Sequence, residues 1–391
     1  MWDIREQEAV LEISAAVLWK TYSPWSVEDV ILDPPQQGEV LVKLAATGLC
    51  HSDEHLVTGD IAVPPEIVEQ TGATALPMIG GHEGAGEVVE VGPGVTALKV
   101  GDPVVLSFIP ACGRCPSCSR GRQNLCDLGA FLIFGRQIAD LTARHHAKDG
   151  TDLGVMCCLG TFAPYTVVNE ASCIKLDDDI PLDKAALVGC GVTTGWGSAV
   201  YLAEVQPGET VIVIGVGGVG INAVQGAAMA GARHIVAVDP VPFKREQALK
   251  FGATHAASSL EEAAGIVGLI TWGAQAEKAI ITTGVAEGSM IAPIMAMVAK
   301  GGRCVVTSVA PMSQTEVNLS LSDLTFMQKQ LVGGMFGGAN PRRDVPRLLR
   351  LYKEGKLKLD ELITTTYDLA DVNQGYQDMR DGKNLRGMIK Y

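Results

Sequence analysis

The first third of the chain alternates short apolar runs with turns rich in glycine and proline. The runs at 15–19, 39–45, 84–91 and 103–108 are apolar or β-branched and end at turn residues. Runs of this length and composition are typical of short strands. We therefore predict a β-rich domain at the amino-terminal end.

After about residue 191 the pattern changes to apolar runs separated by helical segments. Strands that alternate with helices build a parallel sheet with helices on both faces. The fold class predicted for the chain is therefore α/β, with a doubly wound parallel-sheet domain after the β-rich one. The predicted strands are 210–214, 234–239, 279–283 and 303–309, with helices at 218–230 and 242–251.

Composition agrees with two globular domains and limits the partners. A chain of 391 residues exceeds the size of a single core, and 47% hydrophobic against 19% charged residues allows a large interior. The net charge of −13 argues against nucleic acid as a partner, because affinity for phosphates rests on lysine and arginine.

The uncharged stretch 211–232 is long enough to resemble a membrane span, but its glycines, Asn222 and Gln225 fit a buried strand-turn-helix better, so no membrane partner is expected. Acidic residues among the first eight argue against a secretory signal and indicate the cytoplasm.

Four cysteines form a C-x2-C-x2-C-x7-C cluster at Cys112, Cys115, Cys118 and Cys126. Thiolates this close in a short loop are most simply explained by a tetrahedral zinc ion. Disulfides and an iron–sulfur cluster are the alternatives, and a reducing cytoplasm favours zinc. A closed four-thiolate site leaves no position for substrate. We therefore predict a structural zinc and look elsewhere for the chemistry.

A glycine fingerprint directly follows the predicted strand 210–214 and opens a helix. Its glycines permit a tight turn and a close approach of the backbone to a pyrophosphate, whose charge the helix amino terminus favours. The motif alone is weak, but this strand-and-helix context is the one that dinucleotide binding requires. The residues are Gly215, Gly217, Gly218, Val219 and Gly220.

Asp239 ends the next predicted strand and bears on which dinucleotide is bound. A carboxylate here can accept hydrogen bonds from ribose hydroxyls and would repel a 2′-phosphate, which favours NAD over NADP. Lys244 and Arg245 lie nearby and leave NADP open. The structural alternative for Asp239 is a helix N-cap before Pro240.

Cys50, His82 and Cys190 have the donor chemistry of a second zinc site. Two thiolates and one imidazole neutralise the ion and leave a coordination position open for substrate. Each residue has an ordinary alternative, because free cysteines are often buried as small apolar residues and a lone histidine is more often a core residue. Spacing in the sequence does not decide between these interpretations.

Taken together, the motifs resemble those of the zinc-dependent medium-chain alcohol dehydrogenases. The four-cysteine cluster, the glycine fingerprint and three further stretches occur in the family's order over nearly the whole chain: Cys50-His-Ser-Asp-Glu-His55, G-H-E-G-A-G at 81–86 and G-C-G-V-T-T-G-W-G-S-A-V at 189–200. The resemblance implies a GroES-like catalytic domain at 1–191, completed by 336–391, and a Rossmann NAD-binding domain at 192–335. It also implies two zinc ions per chain, the catalytic one on Cys50, His82 and Cys190.

The resemblance further implies roles for single residues around that zinc and the cofactor. Glu83 matches an occasional ligand beneath the zinc, and Asp53 matches the residue that orients His82. Ser52 and His55 match a proton relay that runs through a cofactor ribose hydroxyl. Ser52 and Phe108 match the substrate pocket, and the remaining matches are cofactor contacts: Thr194 at the nicotinamide, and Arg386 and His51 at the pyrophosphate. Lys244 is also predicted to contact the cofactor, because it lies close to Asp239 in the sequence.

Three departures from the plainest members of the family indicate one branch of it. His51 stands where many relatives have arginine, extra residues lie between 60 and 76, and a long segment at 127–160 follows the structural-zinc loop. These features look most like the actinobacterial nitrosoaniline-dependent branch, whose members are nicotinoproteins. The resemblance implies NAD(H) that stays bound and is reoxidised in place by a dye or a carrier such as mycofactocin. His51 opposes this, because a titrating charge holds phosphate less firmly than a permanent one, so closure by the extra segments has to compensate.

The predicted function is thus hydride transfer between a primary alcohol or aldehyde and a nicotinamide cofactor. Within enzymes the alternatives are a glutathione-linked formaldehyde dehydrogenase and an ordinary alcohol dehydrogenase that exchanges NAD. Outside enzymes the alternative is a zinc-bearing scaffold on a dehydrogenase fold. The family's habit of pairing cofactor domains implies a homodimer or homotetramer. Cys157, Cys158, Cys173 and Cys304 have no matching metal role and are interpreted as buried or free thiols, the first two near the pocket.

Overall fold

A computed structural model of the protein describes residues 10–61, 65–71 and 76–391. Two of the predictions fall partly outside the described residues: the acidic start of the chain, and the insertion at 60–76, of which 62–64 and 72–75 are not described.

The amino-terminal half is β-rich, as predicted. Five short strands close a barrel in the order β1-β2-β7-β8-β4, and β10-β6-β5-β3 form one side of a second sheet in which β9 also pairs with β3. The predicted strand at 84–91 is confirmed, and the other three predicted strands are found with shifted ends. The strands are β1 (Leu11–Leu18), β2 (Ser26–Leu32), β3 (Glu39–Gly48), β4 (Met78–Ile79), β5 (Gly84–Val91), β6 (Pro103–Leu106), β7 (His145–Ala147), β8 (Asp152–Val155), β9 (Tyr165–Asn169) and β10 (Cys173–Lys175).

Helices and turns between these strands carry most of the chemistry. The long segment at 127–160 is not a bare loop, because it contains a 3-10 helix, Asp127–Phe134, as well as β7 and β8 of the barrel. The helices up to the parallel sheet are α1 (His51–Thr58), α2 (Pro65–Thr71), α3 (Pro116–Ser119), α4 (Leu182–Val188) and α5 (Gly191–Gly197), which continues as a π-helix over Ser198–Leu202.

The second half contains a parallel sheet in the order β13-β12-β11-β14-β15-β16. All five residues of the central strand β11 are buried, as expected for a strand covered on both faces. The fold class, α/β with a doubly wound parallel sheet, is confirmed. The elements are β11 (Thr210–Ile214), α6 (Gly220–Met229), β12 (His234–Val238), α7 (Pro242–Lys250), β13 (His255–Ala257), α8 (Leu260–Ile270), β14 (Ala276–Ile281), α9 (Ile291–Ala296), β15 (Val298–Val306), α10 (Leu321–Met327) and β16 (Gln330–Gly333).

The end of the chain returns to the first half. β17 (Ile363–Tyr367) pairs with β18 (Arg386–Lys390), and β18 pairs antiparallel with β3. The helices on this return are α11 (Pro341–Lys353) and α12 (Val372–Arg380). Because β18 begins at Arg386, this topology carries Arg386 into the space between the two halves.

Among the described residues no single helix is long and apolar enough to cross a membrane. The pair Leu182–Val188 and Gly191–Leu202 reaches that length and composition only together, with a bend of 48° between them.

Candidate catalytic site and cofactor cleft

The sulfur atoms of the four-cysteine loop lie together. The Sγ atoms of Cys112 and Cys118 are 4.0 Å apart, and those of Cys115 and Cys126 are 3.9 Å apart. Sulfurs about 2.3 Å from a tetrahedral zinc ion would be separated by about 3.8 Å, whereas disulfide sulfurs are about 2.05 Å apart. The spacing fits zinc and excludes disulfides among these four residues.

Backbone amides stabilise thiolate charge on the same loop. Cys115 is the N-cap of α3, and its sulfur accepts from the N–H groups of Cys118 at 3.4 Å and Asp127 at 3.3 Å. Although partial burial opposes them, these bonds lower the pKa of Cys115 to about 7. Burial raises the pKa of Cys118 to about 12, so a cation is needed before all four sulfurs ionise together. The donor set fits a structural zinc.

The second metal group consists of Cys50, His82, Glu83 and Cys190. All four are buried, and one ligand atom from each lies within 4.8 Å of the others. Cys50 precedes α1 and Cys190 precedes α5, while His82 and Glu83 lead into β5. Three distant segments therefore meet at one point between the two halves of the chain.

Asp53 fixes the direction of the His82 ring. One Asp53 oxygen accepts from the Gly81 N–H at 2.7 Å, and the other lies 3.0 Å from His82 Nδ1. The buried Nε2 atom of His82 has no hydrogen-bond partner among the described residues. An imidazole held by a carboxylate on one nitrogen, with its other nitrogen free and aimed at two thiols, is the arrangement of a zinc ligand.

The electrostatics of this group also favour a cation. Contact with Cys190 holds the pKa of Cys50 well below its usual range, whereas the same contact and burial raise the pKa of Cys190. The negative charges of Asp53 and Cys50 raise the pKa of His82 even though burial opposes them. Two buried thiols in contact do not both ionise unless positive charge lies between them, so these residues fit zinc.

Glu83 is bound on both oxygens beside the metal group. Its Oε1 accepts from the Gly191 N–H at 3.1 Å, and its Oε2 forms a short ion pair with Arg386 Nη2. Arg386 is 3% exposed and also donates to the Leu49 carbonyl at 3.1 Å. Its Cδ lies against Gly218, where a Cβ would come within 2.5 Å. The residue predicted at the pyrophosphate thus joins Glu83 to the glycine loop.

The glycine fingerprint forms the turn between β11 and α6. Gly215 adopts a φ of +82°, and a Cβ there would lie 2.8 Å from the backbone of Thr283. A Cβ at Gly220 would overlap the Gly215 carbonyl oxygen, whereas one at Gly217 would meet nothing within 4 Å. Gly217 therefore leaves open space above the loop, and Val219 is the residue before α6.

Asp239 follows β12 and does not cap α7, whose N-cap is Val241. Its carboxylate accepts from the Val216 N–H at 3.0 Å and the Val241 N–H at 2.9 Å. Arg245 donates to the Asp239 carbonyl at 2.7 Å and is thereby held by the backbone. Lys244 is half-buried in the first turn of α7. The N-cap interpretation of Asp239 is therefore wrong.

The two candidate relay residues lie one turn apart on α1, so they share a helix face. Ser52 Oγ is 3.8 Å from Cys50 Sγ. His55 has its Nδ1 2.9 Å from Asp60 Oδ2 and its Nε2 2.9 Å from the carbonyl oxygen of Gly284, in the loop after β14. His55 therefore reaches from the catalytic half to the cofactor half.

His51 and Thr194 also face the space between the halves. The rings of His51 and His55 are 5.0 Å apart, and a Cβ at Gly284 would lie 2.9 Å from His51 Nε2. Desolvation and the neighbouring His55 lower the pKa of His51, so it is a weaker partner for phosphate than arginine. Thr194 is buried, and its hydroxyl has no partner among the described residues.

Phe108 forms an aromatic wall beside the metal group, and its aromatic partner was not among the predicted residues. The Phe108 ring packs edge-on against His82 at 5.9 Å and against Phe336 at 5.2 Å. Leu128 and Leu132, from the 3-10 helix after the four-cysteine loop, pack on the same cluster as Phe336, Cys118 and Cys126. Phe336 could have been noticed only as a large apolar residue in a glycine-rich stretch, Gly333-Gly-Met-Phe-Gly-Gly338.

The remaining cysteines lie outside both metal groups. Burial raises the pKa values of Cys173 and Cys304 to about 12, in agreement with inert core thiols. Burial also raises the pKa of Cys157 to about 11, and the charges of His82 and Asp53 act on it. Cys158 donates to the Phe131 carbonyl at 3.4 Å.

Comparisons with known proteins agree with this site. Residues 36–178 match the family model described as alcohol dehydrogenase GroES-like domain, and residues 218–354 match that described as zinc-binding dehydrogenase. The chain is 48% identical over 381 residues to alcohol dehydrogenase B of Mycobacterium tuberculosis, covering 97% of this chain and 99% of that protein. It is 50% identical over 381 residues to the NDMA-dependent alcohol dehydrogenase of Amycolatopsis methanolica, with the same coverage.

A solved structure shares the whole fold. Benzyl alcohol dehydrogenase from Acinetobacter calcoaceticus superposes with a TM-score of 0.84 at 30% identity, covering 97% of this chain and 99% of that one. The extent of the sequence matches is enough to assign the chain to a family. The chain belongs to the zinc-dependent medium-chain alcohol dehydrogenases and is an alcohol oxidoreductase.

Proposed function

We propose that the chain oxidises primary alcohols with apolar tails to aldehydes, using NAD(H) that stays bound and is reoxidised in place by an external carrier. The observation that carries this proposal is the 50% identity to a relative named for its dependence on NDMA. Two contacts across the cleft support retention: the His55 ring with the Gly284 carbonyl, and Arg386 between Glu83 and Gly218. Both contacts join the two halves of the chain.

Two zinc ions per chain belong to the proposal. Cys50, His82 and Cys190 would hold the catalytic ion, and the four-cysteine loop would hold the structural one. When bound, the catalytic zinc supplies Lewis acidity towards the alcohol oxygen and the nicotinamide exchanges hydride with the substrate carbon. Asp53 keeps the His82 ring in place, and the Phe108 and Phe336 rings exclude water.

The proton of the alcohol leaves through the chain's own residues. Ser52 has its Oγ 3.8 Å from Cys50 Sγ, and its hydroxyl accepts that proton as it gives up its own. His55, on the same face of α1, passes the proton towards solvent, and Asp60, which is one-quarter exposed, lies beside its ring. The route avoids an isolated charge in a buried site, which would be costly.

Loss of either relay residue should slow turnover without loss of metal or fold. We expect Ser52→Ala and His55→Ala to lower kcat by about 100-fold, at the lower end of the range for positioned proton transfer. The deficit for His55→Ala should be largest at low pH, because hydroxide is then too scarce to take the proton directly. The measurement is kcat against pH together with zinc content. His255→Ala, a matched change on β13 at the far edge of the parallel sheet, should behave like the native enzyme, and equal activity of His55→Ala at every pH would refute the relay.

Retention of the cofactor is tested by the absorption spectrum of the dialysed enzyme. We expect about one nicotinamide per chain to survive dialysis, because a site between two domains can bury most of a ligand's surface. Alcohol should reduce that bound cofactor, and the nitrosoaniline dye should reoxidise it without added NAD. A dialysed enzyme that holds no nicotinamide and recovers activity with free NAD would instead be an ordinary NAD-exchanging alcohol dehydrogenase.

The choice of substrate tests the proposed preference for apolar alcohols. Activity with the glutathione adduct of formaldehyde but not with simple alcohols would indicate the glutathione-linked enzyme. The aromatic wall of Phe108 and Phe336 favours apolar tails, and the benzyl alcohol specificity named for one structural relative supports aromatic ones.

We also propose a homodimer or homotetramer. Leu321 and Phe326 on α10 are 74% and 81% exposed, and β16 is an edge strand that a second cofactor domain could extend.

A further inference from the structure

Helix α1 ends in a turn that folds an acidic side chain back onto the relay histidine. Gly59 caps the helix in the left-handed conformation, with a φ of +77°. That turn reverses the chain, so that Asp60 lies against His55, five residues earlier, at 2.9 Å. Thr58 donates to the same carboxylate oxygen at 2.6 Å. The Asp60 carboxylate is therefore held in place from two sides.

The partners of His55 define what the ring can do. A carboxylate and a peptide carbonyl are acceptors only, so the ring can satisfy Asp60 and Gly284 together only while both nitrogens carry protons. After losing one proton the ring keeps the other at Nδ1, because a carboxylate is the stronger acceptor. Nε2 is then the nitrogen without a proton, and it must part from the Gly284 carbonyl oxygen, 2.9 Å away, to accept the next one.

We propose that Asp60 is the positioning residue of His55: it fixes the Nδ1–H tautomer, aims Nε2 into the cofactor cleft and stabilises the charge that arrives with the proton. This inference rests on the relay role proposed for His55. Carboxylates set histidine tautomers in this way where they contact the second ring nitrogen.

Among the charged and titratable groups around His55, Asp60 is the one placed to stabilise the charge on its ring. His51, the neighbour on the same helix, has a pKa lowered by desolvation and by His55, and Lys244 on α7 acts on it from across the cleft. Of the two carboxylates on this helix, Asp53 lies 3.0 Å from His82 Nδ1, and Glu54 pairs with Arg380 of α12 at 2.7 Å. Contacts with Thr58 and His55 lower the pKa of Asp60, so it is ionised at neutral pH.

The decisive variant is Asp60→Asn, because an amide can present either an acceptor or a donor to Nδ1 and so loses the choice of tautomer. We expect kcat of the holoenzyme to fall about tenfold, as is usual for groups behind a reacting histidine, with KM for the alcohol unchanged. Removing a negative charge beside the imidazolium disfavours the cation, so the acid limb of the plot of kcat against pH should move to lower pH. Asp60→Glu keeps the charge and should restore part of the rate. As a control, Glu54→Gln should change neither kcat nor the position of its acid limb.

A second readout does not depend on turnover. Nitrogen-15 spectra of the histidines in the purified holoenzyme report which ring nitrogen carries the proton. With seven histidines in the chain, the His55 signals can be assigned by their loss in His55→Gln. We expect an Nδ1–H ring in the native enzyme and a mixture of tautomers in Asp60→Asn.

The outcomes separate this inference from the function on which it rests. If His55→Gln keeps the native kcat, the relay fails and the role of Asp60 fails with it. If His55→Gln is slow while Asp60→Asn keeps the native kcat, pH limb and tautomer, only the role of Asp60 is overturned. If Asp60→Asn is slow but its His55 tautomer is native and Asp60→Glu restores nothing, Asp60 is structural and the inference is also overturned.

Discussion

Replacement of Cys190 by alanine is expected to remove the catalytic zinc and to lower kcat/KM by about three orders of magnitude, while the structural zinc stays bound. Loss of a Lewis acid costs several kcal/mol of transition-state stabilisation, and each 1.4 kcal/mol is about tenfold in rate. Cys190 and Cys50 are in contact in a buried site, so removal of one leaves too few donors to hold the ion. The four-cysteine loop is a separate group of ligands. The measurement is zinc per chain by mass spectrometry beside steady-state kinetics, with a fall from two ions to one.

Two matched variants make that result specific. Cys304→Ala removes an equally buried thiol outside both metal groups and should keep two zinc ions and native activity. Cys126→Ala should lose the structural zinc instead, and it should loosen the wall of Phe108 and Phe336, because these residues share one apolar cluster with Cys126. Two zinc ions retained by Cys190→Ala would mean that the assignment of the catalytic ligands is wrong.

The sequence predicts most where chemistry restricts residue type. Cysteine and histidine at defined positions, glycines after an apolar strand and an acidic residue after the next strand are recognisable without coordinates, and the structure brings each set together. Strand β11 and the start of α7 were also predictable, because a continuous apolar run and a proline at the first helical position are strong local signals. The ends of other strands differ from the predicted ends, since the pairing partners of a strand decide where it stops.

What the sequence does not contain is the pairing of distant residues. Arg386 and Glu83 are 303 positions apart and meet only because β18 returns to pair with β3. Phe336 reaches Phe108 because the chain turns back after β16, and nothing in its neighbourhood signals a pocket wall. Asp60 lies only five residues from His55 in the sequence, but their contact depends on the left-handed conformation of Gly59. A glycine at this position is common at the ends of helices and does not by itself indicate such a contact.

The glycine loop offers the second large effect, because two of its positions separate folding from cofactor binding. Gly220→Ala is expected to destabilise the protein by about 3 kcal/mol, in the upper range for overpacked sites. Its Cβ would overlap the Gly215 carbonyl oxygen and lie 2.6 Å from Thr282 Oγ1. The obstruction is backbone, so it cannot be relieved by a rotamer change. A thermal scan should show a lower midpoint, and the purified protein should carry little NAD(H).

Gly217→Ala should leave the stability of the fold unchanged and weaken the binding of the cofactor. Its Cβ meets no atom within 4 Å, so the melting midpoint should stay native, but the methyl group enters the space where a pyrophosphate must approach the backbone. The dissociation constant for NAD(H) should therefore rise about 10-fold or more, which corresponds to about 1.4 kcal/mol in binding, and the purified protein should carry less NAD(H). Gly265→Ala, in the open on helix α8, controls for the added methyl group and should leave cofactor content native. Native cofactor content in Gly217→Ala would show that the dinucleotide does not use this loop, whereas a native midpoint in Gly220→Ala would show that β11 and α6 can separate without cost.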